Sequence, residues 1–390
     1  MKVKMKEIKF VFLIGNGFDI QLLNQIGMSS TTSYQDFYNF IKWKYPKEIK
    51  DNIIVNKMKV DRESGNGNWS DFENSIKNLL RDEYEANSPN FDENKYIDAL
   101  SQLQNYFSDF LNTIITTDVL KYVDDLGDVI DAYDNKNIKI SLPLNTLRSF
   151  LYDLKPDERR LLKIAEKIED HIIVDYTFFN FNYTPLLDNY ITLDKDNFDP
   201  HVHKRSDNNF HFQFAKNGSR KDYYTKIRTR IFHPHGFQHT PRSMLFGFDN
   251  PKQVITDYKD DLYTNSKVKK YVKYFLKPYW AENKVKYGSY LEEADLFVVF
   301  GHSIGESDRY WWNEIYKRLE QGTANLIIYN YTRYDDEDSK NNVKNNFISS
   351  AGVSLEEIDI EVLKRIFVIN FDSEKQRFAF TVDKKKMNRF

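Results

Sequence analysis

The chain has 390 residues, enough for more than one core, and its 56 basic and 58 acidic residues are interspersed to a formal net charge of -2. No basic face points to nucleic acid, and no apolar run reaches the roughly 18 residues of a membrane span. Zero cysteines exclude disulfides, thiolate metal sites and cysteine nucleophiles, which leaves the chemistry to His, Asn, Asp, Glu, Ser or a bound cofactor.

The N-terminal MKVKMKEIKF lacks the apolar core of a signal peptide, so a cytoplasmic protein without membrane association is expected. From Phe10 to Ile20, FVFLIGNGFDI reads as a strand, a glycine turn and a helix start, the layout that cradles nucleotide phosphates in Rossmann-like domains. From Ser30 to Asp170 the pattern turns helical. Phe72, Ile76, Leu79 and Leu80 share one face behind a Ser70/Glu73 capping box, Leu100 to Ile114 continues at the same spacing, and Leu161, Leu162, Ile164, Ala165 and Ile168 make a third stripe. Pro46, Asp61 to Asn68 and Asp131 to Asn137 read as loops.

Apolar runs resume at His171–Phe181, Arg228–Phe232, Leu296–Phe300, Asn325–Asn330 and Arg365–Asn370, joining the first run at Lys9–Ile14. Most are continuously apolar, which suits a parallel sheet covered on both faces. The expected fold is therefore α/β, a Rossmann-like parallel sheet of about six strands with an inserted, mainly α-helical domain. Residues 1–29 and 171–390 form the sheet domain and 30–170 the insert. A smaller helical insertion near 251–291, rich in Lys and Tyr, reads as exposed helices or a lid.

Five short motifs follow predicted strands. Gly15, Asn16 and Gly17 supply close backbone approach, and Asp19 either bonds a ribose hydroxyl or caps the helix. Asn182 and Thr184 stand at a strand end closed by Pro185, where an amide can orient water or hold a hydroxyl; an Asx-type turn is the plainer reading. His233-Pro234-His235-Gly236 offers a general base near neutral pH and a glycine that lets the backbone pass close. Zinc is the rival use of His233, His235 and His239, with His201, His203 and His211 before them, but no HExxH or cysteine partner accompanies them, and no metal is expected. Gly301, His302, Ser303 and Asp308 belong to a second glycine turn in which Ser307 is placed to cap a helix. Its GHSIG fits the nucleophile elbow by letters only, because no histidine follows His302. Asn330 ends the next strand, as a ribose ligand or as a plain turn residue.

Taken in order, GNGFD, FNYT, HPHG, GHSIGESD and IIYN resemble the signature of the sirtuin-like NAD-binding superfamily. Over nearly its full length, including Trp69 to Glu73, the chain also resembles the AbiH family of bacterial abortive-infection proteins, which guard against phage. The resemblance implies NAD as ligand or substrate, with Gly15 and Gly17 at the pyrophosphate, Asn182 and His235 catalytic, Ser303 at a phosphate or ribose and Asn330 at the adenosine ribose. Asp71, Glu73, Glu306 and Asp308 are candidate helpers in stabilising charge. Two departures stand out: Thr184 replaces an aspartate the superfamily often carries, and the four-cysteine zinc module of deacetylating sirtuins is absent. The expected function is an NAD glycohydrolase that depletes host NAD. A non-hydrolytic NAD or ADP-ribose sensor and a metal-dependent nuclease or phosphoesterase are the alternatives, and a phage-derived trigger and a homo-oligomer are the expected partners.

Overall fold

The computed structural model describes residues 6–65, 72–85, 92–127, 130–132, 135–167, 172–192, 225–255, 272–356, 358–383 and 385. The predicted Ser70 cap, Trp69, Asp71, His171, His201, His203 and His211 lie outside them.

The six apolar runs all become strands. They are β1 (Glu7–Ile14), β4 (Ile172–Asn180), β5 (Thr225–Phe232), β6 (Leu296–Phe300), β7 (Asn325–Tyr331) and β8 (Ile366–Phe371), and every pairing among them is parallel. Their spatial order is β5-β4-β1-β6-β7-β8, so successive connections run outward from β1 in one direction and then return to run outward in the other. This is the strand order of dinucleotide-binding Rossmann folds, with its switch point between β1 and β6. The register carries each strand's last residues to a common edge, where Ile14 pairs with Asn180 on one side and Phe300 on the other.

Because side chains alternate along a strand, β1 feeds two cores. Phe10 and Phe12 join one apolar cluster and Val11 and Leu13 the other. The first cluster takes in helices α1 (Gly17–Ile26), α2 (Tyr34–Lys44), α3 (Ile53–Glu63), α4 (Phe72–Glu85), α5 (Glu93–Ile114), α6 (Thr117–Gly127) and α7 (Leu142–Ser149), so residues between β1 and β4 share a core with one face of the sheet. The second is built on Trp311, Trp312 and Ile315 of helix Arg309–Glu320 and Phe347 and Ile348 of helix Glu337–Ala351. No helix among the described residues is long and apolar enough to cross a membrane.

Three local expectations are corrected. The third helical stripe is split into Pro156–Leu161 and Ile164–Lys167, because Lys163 between them takes a left-handed backbone (φ 53°). The loop expected at Asp131 to Asn137 falls in an antiparallel pair, β2 (Ile130–Ala132) and β3 (Asn135–Ile140). The loop expected from Asp61 starts later, since α3 runs to Glu63 and Asp61 is buried against Ser75 Oγ at 2.8 Å.

Two glycine turns meet where the sheet switches direction. The Gly15 amide donates to Phe300 O (2.9 Å) and the Gly17 amide to Gly301 O (2.8 Å). A Cβ on Gly17 would lie 2.6 Å from Gly301 Cα, a backbone atom that cannot swing away. Gly17→Ala is therefore expected to lower stability by about 1–3 kcal/mol. Gly288→Ala, in a helix where the new methyl meets only ordinary contacts at 4.0 Å, should be neutral or stabilising by about 0.5–1 kcal/mol. Thermal unfolding midpoints of the two variants check the contrast.

Candidate functional site

The turns after the strands enclose a cavity of about 1250 Å³ along the carboxyl edge of the sheet, across the switch point. Gly15, Asn16, Gly17, Asp19, Asn182, Thr184, His235, Gly301, His302, Ser303, Asp308 and Asn330 all line it. Gly236 does not, which corrects its assignment to the ligand. At φ 93° its missing Cβ would fall 1.9 Å from Ser243 O, so Gly236 serves the close packing of its own loop. Gly15 and Gly17 line the cavity as expected, but their amides donate to Phe300 O and Gly301 O and are not free for a phosphate. Asn16 is likewise engaged, its amide donating to Thr32 O at 2.9 Å.

The loop after β4 is fixed to its neighbours before any ligand arrives. The Phe181 amide donates to Ile14 O (2.9 Å), and the Asn182 amide donates to Asn180 Oδ1 (3.1 Å) in an Asx turn. Asn180 and His233 both contact Asp188, at 3.2 and 2.9 Å, which ties the β4 and β5 loops together. Asp19 neither caps α1 nor waits for a ribose. Its Oδ1 accepts from Asn182 Nδ2 (2.9 Å) and its Oδ2 from Thr184 Oγ1 (2.6 Å). Burial pushes this carboxyl up to about 7, and the two hydrogen bonds restrain the shift. With Nδ2 committed to Asp19, the buried Asn182 Oδ1 is left without a partner among the described residues.

A second cluster centres on Asp308. Lys277 Nζ lies 2.9 Å from its Oδ1, His235 Nε2 3.0 Å from the same oxygen, and His302 Nε2 3.6 Å from Oδ2. The His235 contact is close but poorly aligned for a hydrogen bond. Lys277 also reaches Glu73 Oε1 at 3.2 Å, which joins α4 to the segment before β6. Only 1% of the Lys277 side chain is exposed, although it opens the first of two short helices, Lys277–Ala281 and Asn283–Glu292, that carry the exposed Tyr279, Trp280 and Val285 expected of this segment. Burial pulls the ammonium down, but the carboxylates of Asp308, Glu73 and Asp249 more than offset it and hold Lys277 above the usual lysine range. Burial pushes Asp308 up, and Lys277 with the two imidazoles holds it well below the carboxylate range. Burial lowers both histidines, His302 to about 4, so both are neutral at pH 7. Asp249, buried behind Asp308, is pushed up to about 8. Ser307 does not cap the following helix as expected: a 3-10 turn, Glu306–Asp308, intervenes, and the helix starts at Arg309.

Asn330 donates to Asn370 Oδ1 (2.8 Å), Ser303 lines the cavity beside His302, and His239 packs edge-on to Phe237. Among the described residues no group of three or more His, Asp or Glu is arranged to hold a metal ion; the cation of the Asp308 cluster is Lys277. Residues 11–331 match the family described as bacteriophage abortive infection AbiH. The chain belongs to the AbiH family. Its biological setting is accordingly phage defence by abortive infection. No curated protein matches the chain. The AbiH match contains every candidate residue named above, and β8 with the segment after it lies beyond it.

Sequence reasoning missed Lys277, Asp249 and Asp188. Only Lys277 left a trace, a lone cation between Phe275-Leu276 and Pro278-Tyr279-Trp280. Removing it strands buried carboxylates, so Lys277→Met should cost about 3–5 kcal/mol, and Lys277→Met combined with Asp308→Asn should recover part of that; a double-mutant cycle by thermal unfolding measures it. The histidines add an acid limb. With His302 at about 4 in the fold and about 6.5 when unfolded, the unfolded chain binds the extra proton first. Stability from this group is complete above pH 6.5 and falls by about 3 kcal/mol toward pH 4. Unfolding followed from pH 7.5 to 4 should show this component in the wild type and its loss in His302→Asn.

Proposed function

We propose that the cavity binds NAD and that the protein hydrolyses the nicotinamide–ribose bond, so that loss of the cofactor arrests the infected cell. The observation that supports this best is the meeting of Asn182 and His235, from two different strand ends, in one cavity at the switch point, with Asn182 Oδ1 buried and unpartnered. The order of the motifs, which resembles that of the sirtuin-like superfamily, points the same way.

In this reading Asn182 Oδ1 accepts from a ribose hydroxyl and holds the sugar, the C–N bond breaks with its electron pair leaving on nicotinamide, a water oxygen bonds the anomeric carbon, and neutral His235 takes the proton which that water sheds. Cleavage passes through an oxocarbenium-like state whose positive charge the ionised Asp308 stabilises. Asp19 matters because it fixes the Asn182 amide. A carboxylate accepts only, so Nδ2 must turn toward Asp19 and Oδ1 toward the ligand. The binding-only alternative was motivated by Thr184 in the place of an acid. Asp19 supplies a carboxylate 2.6 Å from Thr184 Oγ1, which weakens that motive.

Purified protein given NAD and extract of phage-infected cells should release nicotinamide, and Asn182→Ala or His235→Ala should reduce release at least roughly 100-fold while NAD still binds. Tight NAD binding with no nicotinamide released by the wild type would refute hydrolysis in favour of a sensor. Proton uptake by Asp19 converts an acceptor into a donor and frees the Asn182 amide. The rate should therefore fall as pH drops through about 7, and Asp19→Asn should be slow at all pH values and lack that limb.

A further inference from the structure

Lys375 and Arg377 are the cations that line the cavity among its described residues. Lys375 is already neutralised, its ammonium 2.9 Å from Asp335 and also donating to Asn370 O at 2.9 Å. Arg377 is not. It is only 9% exposed, and each of its hydrogen-bond partners is neutral: Nε donates to Ala379 O (2.9 Å), and Nη2 donates to Gln21 Oε1 and to Phe380 O (3.3 Å). No carboxylate among the described residues lies within ion-pair distance of it, and Nη1 has no hydrogen-bond partner among them. Asp153, the acid with the largest effect on its charge, spends its oxygens on the amides of Phe378 and Ala379 and on Tyr329 OH.

A guanidinium buried without a contacting carboxylate is costly to the fold, and it is held rigidly nonetheless. Its plane centre sits 4.4 Å from the Phe371 ring and 5.4 Å from the Phe300 ring, the terminal aromatics of β8 and β6. We propose that Arg377 is an anion anchor, presenting the N–H groups of Nη1 to a phosphoryl group of the molecule that fills the cavity. The cavity is then polar along its length. Asp308 and the neutral imidazoles gather at the loops after β5 and β6, and Arg377 stands over the ends of β6 and β8, where Asp372 also lines the cavity. A ligand with an electron-poor ring at one end and a diphosphate further along matches that division. Arg377 lies beyond residues 11–331, outside the stretch matched to the family. The assignment rests on the ligand being a phosphorylated nucleotide, as proposed above, and not on its hydrolysis.

Calorimetry on the full-length protein with ADP-ribose, inorganic pyrophosphate and adenosine tests it. Arg377→Met should weaken ADP-ribose roughly 10- to 100-fold, abolish pyrophosphate binding and leave adenosine unchanged, with Arg377→Lys in between. Unchanged ADP-ribose affinity in Arg377→Met overturns the anchor, and so does a parallel loss for adenosine, which would mark Arg377 as a packing residue only. If the variant does not fold, the wild type decides: ADP-ribose must outbind adenosine at least about 10-fold and lose that advantage in high salt, and equal affinities overturn the proposal. A wild type that binds none of the three, nor NAD, removes the nucleotide reading and the anchor with it, whereas binding without dependence on Arg377 removes the anchor alone.

Discussion

The contact on which the site depends is the pressing of one glycine turn against another. The turn after β1 and the turn after β6 approach until the missing Cβ positions of Gly15 and Gly17 fall 2.6 Å from backbone atoms of the Gly301 turn. Amides of the first turn then become donors to the second, so they are no longer available to a phosphate. The motif that looks like a phosphate cradle in sequence is also a tightly packed joint in three dimensions. A ligand here meets side chains around the joint, among them Asn182 and His235, and Arg377 further along the same cavity.

Around that joint the molecule concentrates buried charge. Lys277, Glu73 and Asp308 come from three distant stretches of chain and meet with side chains no more than 10% exposed. Burial alone would penalise each of them, and their mutual attraction reverses the balance. The arrangement ties α4 to the sheet through an ion pair and leaves both neighbouring imidazoles neutral at physiological pH. A neutral His235 next to an ionised carboxylate is a competent proton acceptor; the same ring exposed to water would be partly protonated already.

The parts of this architecture that were legible in sequence are those governed by local patterning. Six apolar runs became six strands because a sheet buried on both faces needs no alternation, and the glycine turns announced where those strands end. The breaks at Lys163 and the β2–β3 pair were illegible, since a left-handed residue and a short strand of mixed polarity leave little periodic signal. Lys277 was misread for a different reason: a lysine inside a polar, tyrosine-rich stretch looks solvated unless the carboxylates that bury it are known, and those are about 200 residues away for Glu73 and 31 for Asp308. Most candidate residues share one cavity because strand ends point to one edge, but their individual partners were not legible, since hydrogen bonding between loops is a property of the assembled sheet.

The case of Thr184 shows what this means for reading a departure from a family pattern. Judged along the chain, an acid expected near Asn182 is missing. Judged in space, a carboxylate is present, since Asp19 crosses from α1 to sit between Asn182 and Thr184 with an oxygen for each. The hydroxyl of Thr184 then supplies the donor that a second acid could not, because two carboxylates at 2.6 Å would repel and one would have to hold a proton. What physics requires at this point is a single acceptor that orders the Asn182 amide, and either loop can provide it. Asp19, in turn, is held in place by the glycine joint beside it, so the orientation of Asn182 depends on the contact between Gly17 and Gly301.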